Sequence, residues 1–153
     1  MAKTVLEIIA SCSDADSLHN MMANAKKQNR TDVWREAFRR LCTLEGLDQQ
    51  DPLHRDFYAM LRAYEELLTQ KNGRTTSASR TRQKLRNKGV IQCLEDWALG
   101  KTQTQGFELL TQNGLAELTG EFLVLKYPSS FTPQAIRAAR ERLTNCGVAL
   151  PQS

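Results

Sequence analysis

Apolar residues recur along this chain at intervals of three and four, the spacing that puts them on one face of an α-helix. Val5, Ile8, Ile9 and Cys12 form the first such face. Ser13, with Asp16 three positions on, reads as the cap of a helix running to about residue 27, with Leu18, Met21, Met22 and Ala25 inward. After the turn Gln28-Asn29-Arg30, Thr31 caps a third helix, and Asp32 suits its first turn, where unpaired backbone N–H groups favour an acid. Trp34, Ala37, Phe38, Leu41, Cys42 and Leu44 make a wide apolar stripe there, which Gly46 ends. With so short a joint, the second and third helices are expected to pair antiparallel.

A boundary falls at 48–52, where Asp51 caps and Pro52 takes the first helical position, at which its missing N–H costs nothing. The long helix that follows, to about residue 70, carries Leu53, Phe57, Met60, Leu61, Tyr64, Leu67 and Leu68, and Asn72-Gly73 ends it. A shorter basic helix is predicted over 77–88, closed by Gly89, and another over 90–99 with Val90, Ile91, Leu94, Trp97 and Ala98 inward. A polar loop, 100–105, leads to a helix bearing Phe107, Leu109 and Leu110 that stops near Asn113-Gly114. Thr132-Pro133 opens the last helix, with Ile136, Ala139 and Leu143 on its face. The stretch 121–127 has the Phe, Val and Tyr content of a strand. Leu115, Leu118, Phe122 and Leu125 nevertheless fall at helical spacing and no second strand is available to pair, so a helix ended by Pro128 is predicted. The expected fold is all-α, a compact bundle of seven or eight helices. An N-terminal helical hairpin region, 1–47, precedes a helical domain, 51–150, that contains the basic helix; one continuous domain accommodates both.

Composition adds limits rather than chemistry. A chain of 153 residues, 41% apolar and 25% charged, can build a core without a metal or a disulfide framework. Cys12, Cys42, Cys93 and Cys146 are scattered with no C-x-x-C pair, so they read as reduced small hydrophobes of a cytoplasmic protein. Glu7 interrupts the only apolar run near the amino terminus, which argues against a secretory signal. No apolar stretch, Phe122-Leu123-Val124-Leu125 among them, approaches the ~20 residues of a membrane span, so no membrane partner is expected.

The net charge of +4 is small, but its distribution is not even. The 28 residues between Glu66 and Glu95 contain no acid and seven cations: Lys71, Arg74, Arg80, Arg82, Lys84, Arg86 and Lys88. The rest of the chain has 14 cations against 17 acids. All the positive excess therefore lies in one segment. A secondary basic patch, Lys26, Lys27, Arg30, Arg35 and Arg39, with Arg40 beside it, is diluted by Asp32 and Glu36, the latter spaced to pair with Arg40. On a helical wheel, if Leu85 points to the core, Ala78 and Thr81 lie within about 40° of it, while Thr76, Arg80, Gln83 and Asn87 lie within about 40° of directly outward. Arg can fork onto guanine, and Gln or Asn onto adenine.

The run from Tyr64-Glu65-Glu66-Leu67-Leu68 through Lys71-Asn72-Gly73-Arg74-Thr75-Thr76-Ser77-Ala78-Ser79-Arg80-Thr81-Arg82-Gln83-Lys84-Leu85-Arg86-Asn87-Lys88-Gly89-Val90 resembles the helix-turn-helix of transposase-type and winged-helix DNA-binding modules. The resemblance covers about residues 57–90 and rests on a Gly and Ser/Thr turn, an S-x-x-T-x-R-x-x-L-like helix and a Gly-Val exit. It implies that Arg80, Gln83 and Asn87 face base edges. Lys71, Arg74, Ser77, Ser79, Lys84, Arg86 and Lys88 would then contact phosphate, with Arg82 in the same basic surface.

Catalytic signals are sparse. His19 and His54 lie on separate helices without metal-ligand spacing, and neither has a partner that can be placed beside it. No metal site, catalytic residue or cofactor is implied, and Gly106, Gly114 and Gly120 are spaced as helix breakers rather than as a phosphate loop. The expected function is a bacterial, cytoplasmic DNA-binding protein of modest sequence preference, its partner double-stranded DNA. The alternatives are a helical protein–protein adaptor or accessory subunit of a DNA-processing or defence assembly, and a small metal-dependent nuclease using Asp48, Asp51, Asp56, Glu65 and Glu66.

Overall fold

The computed structural model describes residues 4–100 and 106–151. The loop expected over 100–105 lies, beyond Gly100, outside the described residues. Among these residues the chain forms eight α-helices and two short 3-10 turns, with no strand. The helices are α1 (Val5–Ser11), α2 (Ala15–Lys27), α3 (Thr31–Glu45), α4 (Pro52–Asn72), α5 (Ser79–Ala98), α6 (Gly106–Gln112), α7 (Gly120–Lys126) and α8 (Pro133–Asn145).

Several helix ends follow from single residues. Asp51 caps α4 through bonds from the N–H groups of Leu53 and His54, Pro52 opens it, and Gly73 closes it in the left-handed conformation. Thr132 accepts from Ala135 at the start of α8, where Pro133 stands first. Elsewhere the cap differs from expectation. Asp14, not Ser13, caps α2, taking the Asp16 N–H and the Ser17 hydroxyl on its two carboxylate oxygens. Thr31 is the first residue of α3 and not its cap, and the side chain of Arg30 in the cap position offers no acceptor to the helix N–H groups.

The helical spacing from Leu115 to Leu125 does not belong to one helix. Leu115 is buried, Ala116–Leu118 form a 3-10 turn, and Thr119 is extended and accepts the Phe122 N–H, so that α7 starts afresh at Gly120. The hydroxyl of Thr119 supplies a capping acceptor inside a stretch that periodicity alone joins into one helix. The segment 120–126 is helical, not a strand. Two apolar expectations also change: on α1 only Ile9 is buried, with Val5 48% and Ile8 41% exposed, and Ile91 is 45% exposed.

Helix α4 is the spine. Leu53, Phe57, Met60 and Leu61 belong to a core with Val90, Cys93, Leu94 and Trp97 of α5, Leu123, Val124 and Leu125 of α7, and Ala135, Ala139 and Leu143 of α8. Phe57 and Trp97 stack with ring centroids 6.0 Å apart. Ala59, Ala63 and Leu67, on another side of α4, join a second core with α1 to α3, Leu110 and Leu115. Antiparallel pairing of α2 with α3, as expected from the short joint, brings Leu18, Met22 and Ala25 against Ala37, Phe38 and Leu41. The four cysteines are free: Cys42 and Cys93 are buried, Cys12 is half-buried and Cys146 is exposed. No described helix is long and apolar enough to cross a membrane.

Candidate nucleic-acid interface

The basic segment is built from two parts, the connector 73–78 and the first arm of α5. The connector is longer than the roughly three- to four-residue turn of a compact helix-turn-helix, and the fold does not by itself establish that unit. The side chains of α4 hold it. Thr69 Oγ1 accepts the Thr76 N–H at 2.9 Å, Asn72 donates to the Thr76 hydroxyl at 3.2 Å, and Glu65 Oε2 accepts the Ala78 N–H at 2.8 Å. That last bond gives the start of α5 a carboxylate from another helix where its own sequence has none, since Ala78 stands in the cap position. The helix consequently begins at Ser79 and leaves Ser77 in the connector.

Glycine ends the arm. Gly89 has φ 86 and ψ 173, so the chain leaves helical conformation there before resuming through Ala98. That backbone region is open essentially to glycine alone. The arm before the break buries Ala78 and Thr81 and tucks Leu85 against the first core, while Ser79, Arg80, Gln83, Arg86, Asn87 and Lys88 are exposed. Arg74 in the connector is exposed as well, as are Lys71 and Ser77.

Two cations of the segment turn inward to carboxylates. Arg82 grips Glu65 with two bonds, Nε to Oε2 at 2.8 Å and Nη2 to Oε1 at 2.6 Å. Burial alone would push the Glu65 carboxyl up, but the Arg82 guanidinium and the Ala78 N–H outweigh it and hold the group below its ordinary value. Lys84 Nζ lies 2.5 Å from Asp96 Oδ2, and Asp96 also accepts from Gln92. Lys84 stands before the break and Asp96 after it, so this ion pair ties the two arms together. Among the described residues Arg74, Arg80, Arg86 and Lys88 have no carboxylate partner.

The secondary patch is similarly divided. Lys26 and Lys27 are exposed in the last turn of α2, and Arg30 pairs with Asp32 at 3.2 Å. Arg39 is a tie between helices, donating to Glu36 and Glu117 at 2.6 Å each and to the Gly114 carbonyl. Glu36 thus pairs with Arg39, three residues on, and not with Arg40, which donates to the Cys12 carbonyl.

One cluster had no signal along the chain. His19 has a partner after all: its Nε2 lies 3.1 Å from Glu66 Oε1, which also accepts Arg62 Nε at 3.0 Å. These groups line a groove of about 600 Å³ with Glu65, Arg82 and Thr76. His19 and Glu66 are 47 positions apart, and only the tertiary fold, with α3 packed on both α2 and α4, brings them together. Four of the five carboxylates weighed for a nuclease are engaged differently: Asp51 as a cap, Asp56 with Lys126 and Tyr127, Glu65 with Arg82, and Glu66 with His19 and Arg62, while Asp48 is exposed. Among the described residues no three His, Cys, Asp or Glu side chains gather as a metal would require.

No protein-family model, curated protein or solved structure matches this chain.

Proposed function

We propose that this protein binds double-stranded DNA through the first arm of α5. The observation that carries the reading is that Arg80, Gln83, Arg86, Asn87 and Lys88 share the exposed side of an arm whose other side is packed, within 28 residues free of acids. Arg80, Gln83 and Asn87 offer the forked donor and acceptor groups that read base edges. Lys71, Arg74, Ser77, Ser79, Arg86 and Lys88 flank them with groups suited to phosphate. Arg82 and Lys84 act at one remove: each holds the arm in place through a carboxylate of the fold, and neither carries the charge that attracts DNA.

The test is binding of a labelled duplex across salt. With about four phosphates neutralised, affinity should fall roughly 100- to 200-fold between about 50 and 200 mM salt. A flat response would sink the reading. Arg86→Ala with Lys88→Ala should weaken all duplexes alike, whereas Arg80→Ala with Gln83→Ala should narrow the difference between preferred and random sequence by about 1–3 kcal/mol.

A further inference from the structure

A second cleft lies away from α5, where the turn between α2 and α3 meets the end of α6. Its volume is about 290 Å³, close to the lower end of the ~300–1,000 Å³ that small-ligand sites occupy. Lys26, Arg30, Trp34, Arg35, Gln70 and Asn113 are among its lining residues, and every charged residue of the lining is a cation. Arg30 is neutralised by Asp32. Arg35 and Lys26 have no carboxylate partner among the described residues.

Arg35 is the distinctive member. Its guanidinium packs on Gly114, where a Cβ would stand only 3.1 Å from Cζ, so the glycine leaves the space that the cation fills. The Nε of Arg35 is buried and has no hydrogen-bond partner. A buried donor without an acceptor is a standing cost to the fold, and Arg35, which lines the cleft, has no carboxylate to neutralise its charge. Beside it Trp34 rests on Phe38, centroids 5.0 Å apart, and is only half-buried, so its indole also forms part of the cleft wall. Gln70, Gln112 and Asn113 add amides, of which Asn113 is anchored by its Nδ2 on the Leu109 carbonyl.

We infer that this cleft binds one nucleotide unit, its phosphate between Lys26 and Arg35 and its base against Trp34 and the amide side chains. A cation pair alone would suit any small anion. The aromatic wall and the amides add the two other features by which a nucleobase is held, a stacking surface and groups that match its polar edge. The unit is either a free mononucleotide or the phosphorylated end of a strand. The inference does not rest on the role given to α5.

Tryptophan fluorescence provides the test. The chain has two tryptophans, and Trp97 is buried in its stack on Phe57, so quenching by an added ligand reports Trp34. Adenosine monophosphate should quench saturably, and adenosine or inorganic phosphate should bind about tenfold more weakly, because each lacks one half of the contacts. Lys26→Ala, at an exposed position, should weaken the mononucleotide by about fivefold or more, as should Arg35→Gln if its circular dichroism is unchanged. Arg86→Ala should leave the titration as it is, so failure here is distinct from failure of duplex binding. Displacement by a 5′-phosphorylated oligonucleotide, and not by its unphosphorylated form, identifies a strand end as the source; displacement by neither identifies the free nucleotide. The inference is overturned by the absence of saturable quenching, by equal affinity for adenosine and its monophosphate, by an unchanged Lys26→Ala variant, or by equal displacement with both oligonucleotides.

Discussion

Glu65 and Glu121 are both buried carboxylates facing an arginine, yet their protonation pulls stability in opposite directions. At Glu65 two bonds from Arg82 and one from Ala78 hold the folded value below the ordinary 4.5. Its contribution is therefore complete above about pH 4.5 and is lost as pH falls through the lowered folded value. At Glu121 desolvation dominates and pushes the group up, although Arg142 Nη1 lies 2.8 Å away. Its contribution is complete at acid pH and declines as pH rises through the raised value. Urea denaturation across pH checks both. Glu65→Gln should cost roughly 1–2 kcal/mol at neutral pH, a figure reduced because Arg82 is 37% exposed, and should converge on wild type in acid. Glu121→Gln should stay within about 1 kcal/mol of wild type at neutral pH and remove the decline. Neither partner was visible along the chain, since Glu65 and Arg82 are 17 positions apart and Glu121 and Arg142 are 21 apart.

At the scale of the element, α5 is the informative case. The inward stripe of its first arm, Ala78, Thr81 and Leu85, and the end of that arm at Gly89 were legible because helical phase and a glycine terminator are local properties. Its start was misplaced by two residues, because the group that serves Ala78 comes from Glu65 on α4, outside the local sequence. The outward direction of Ile91 escaped for a related reason: the break at Gly89 resets the phase, and Val90, Cys93, Leu94 and Trp97 take the inward side. Gly89→Ala should cost roughly 1–3 kcal/mol, from backbone strain and not from crowding, as nothing lies within 4 Å of a Cβ there. Thermal denaturation measures that cost. Lys84→Ala should weaken duplex binding without changing its salt slope, because it loosens the angle between the arms and removes no phosphate contact; anisotropy titrations at two salt concentrations check it.

For the whole molecule, α4 connects two cores, and that predicts one unfolding transition. Phe57, fully buried in the first core, and Leu67, buried in the second, are on the same helix. Phe57→Ala should cost about 3–5 kcal/mol and Leu67→Ala about 2–5 kcal/mol, each lowering a single midpoint seen equally by far-ultraviolet circular dichroism and by tryptophan fluorescence. Two separated transitions would show that the boundary near 48–52 divides independent units.

Periodicity, capping and composition act over a few residues, so the helical class, most helix ends and the segregation of positive charge follow from the order of residues alone. It could not sort the cations. Arg82, Lys84 and Arg39 look on paper like Arg80, Arg86 and Arg35, and only packing gives the first three a carboxylate and leaves the others without one. The His19–Glu66 contact and the cleft beneath Trp34 were likewise decided in three dimensions, since both depend on which faces of α2, α3, α4 and α6 meet. Charge along a chain is additive, but its availability to a partner depends on what the fold has already neutralised.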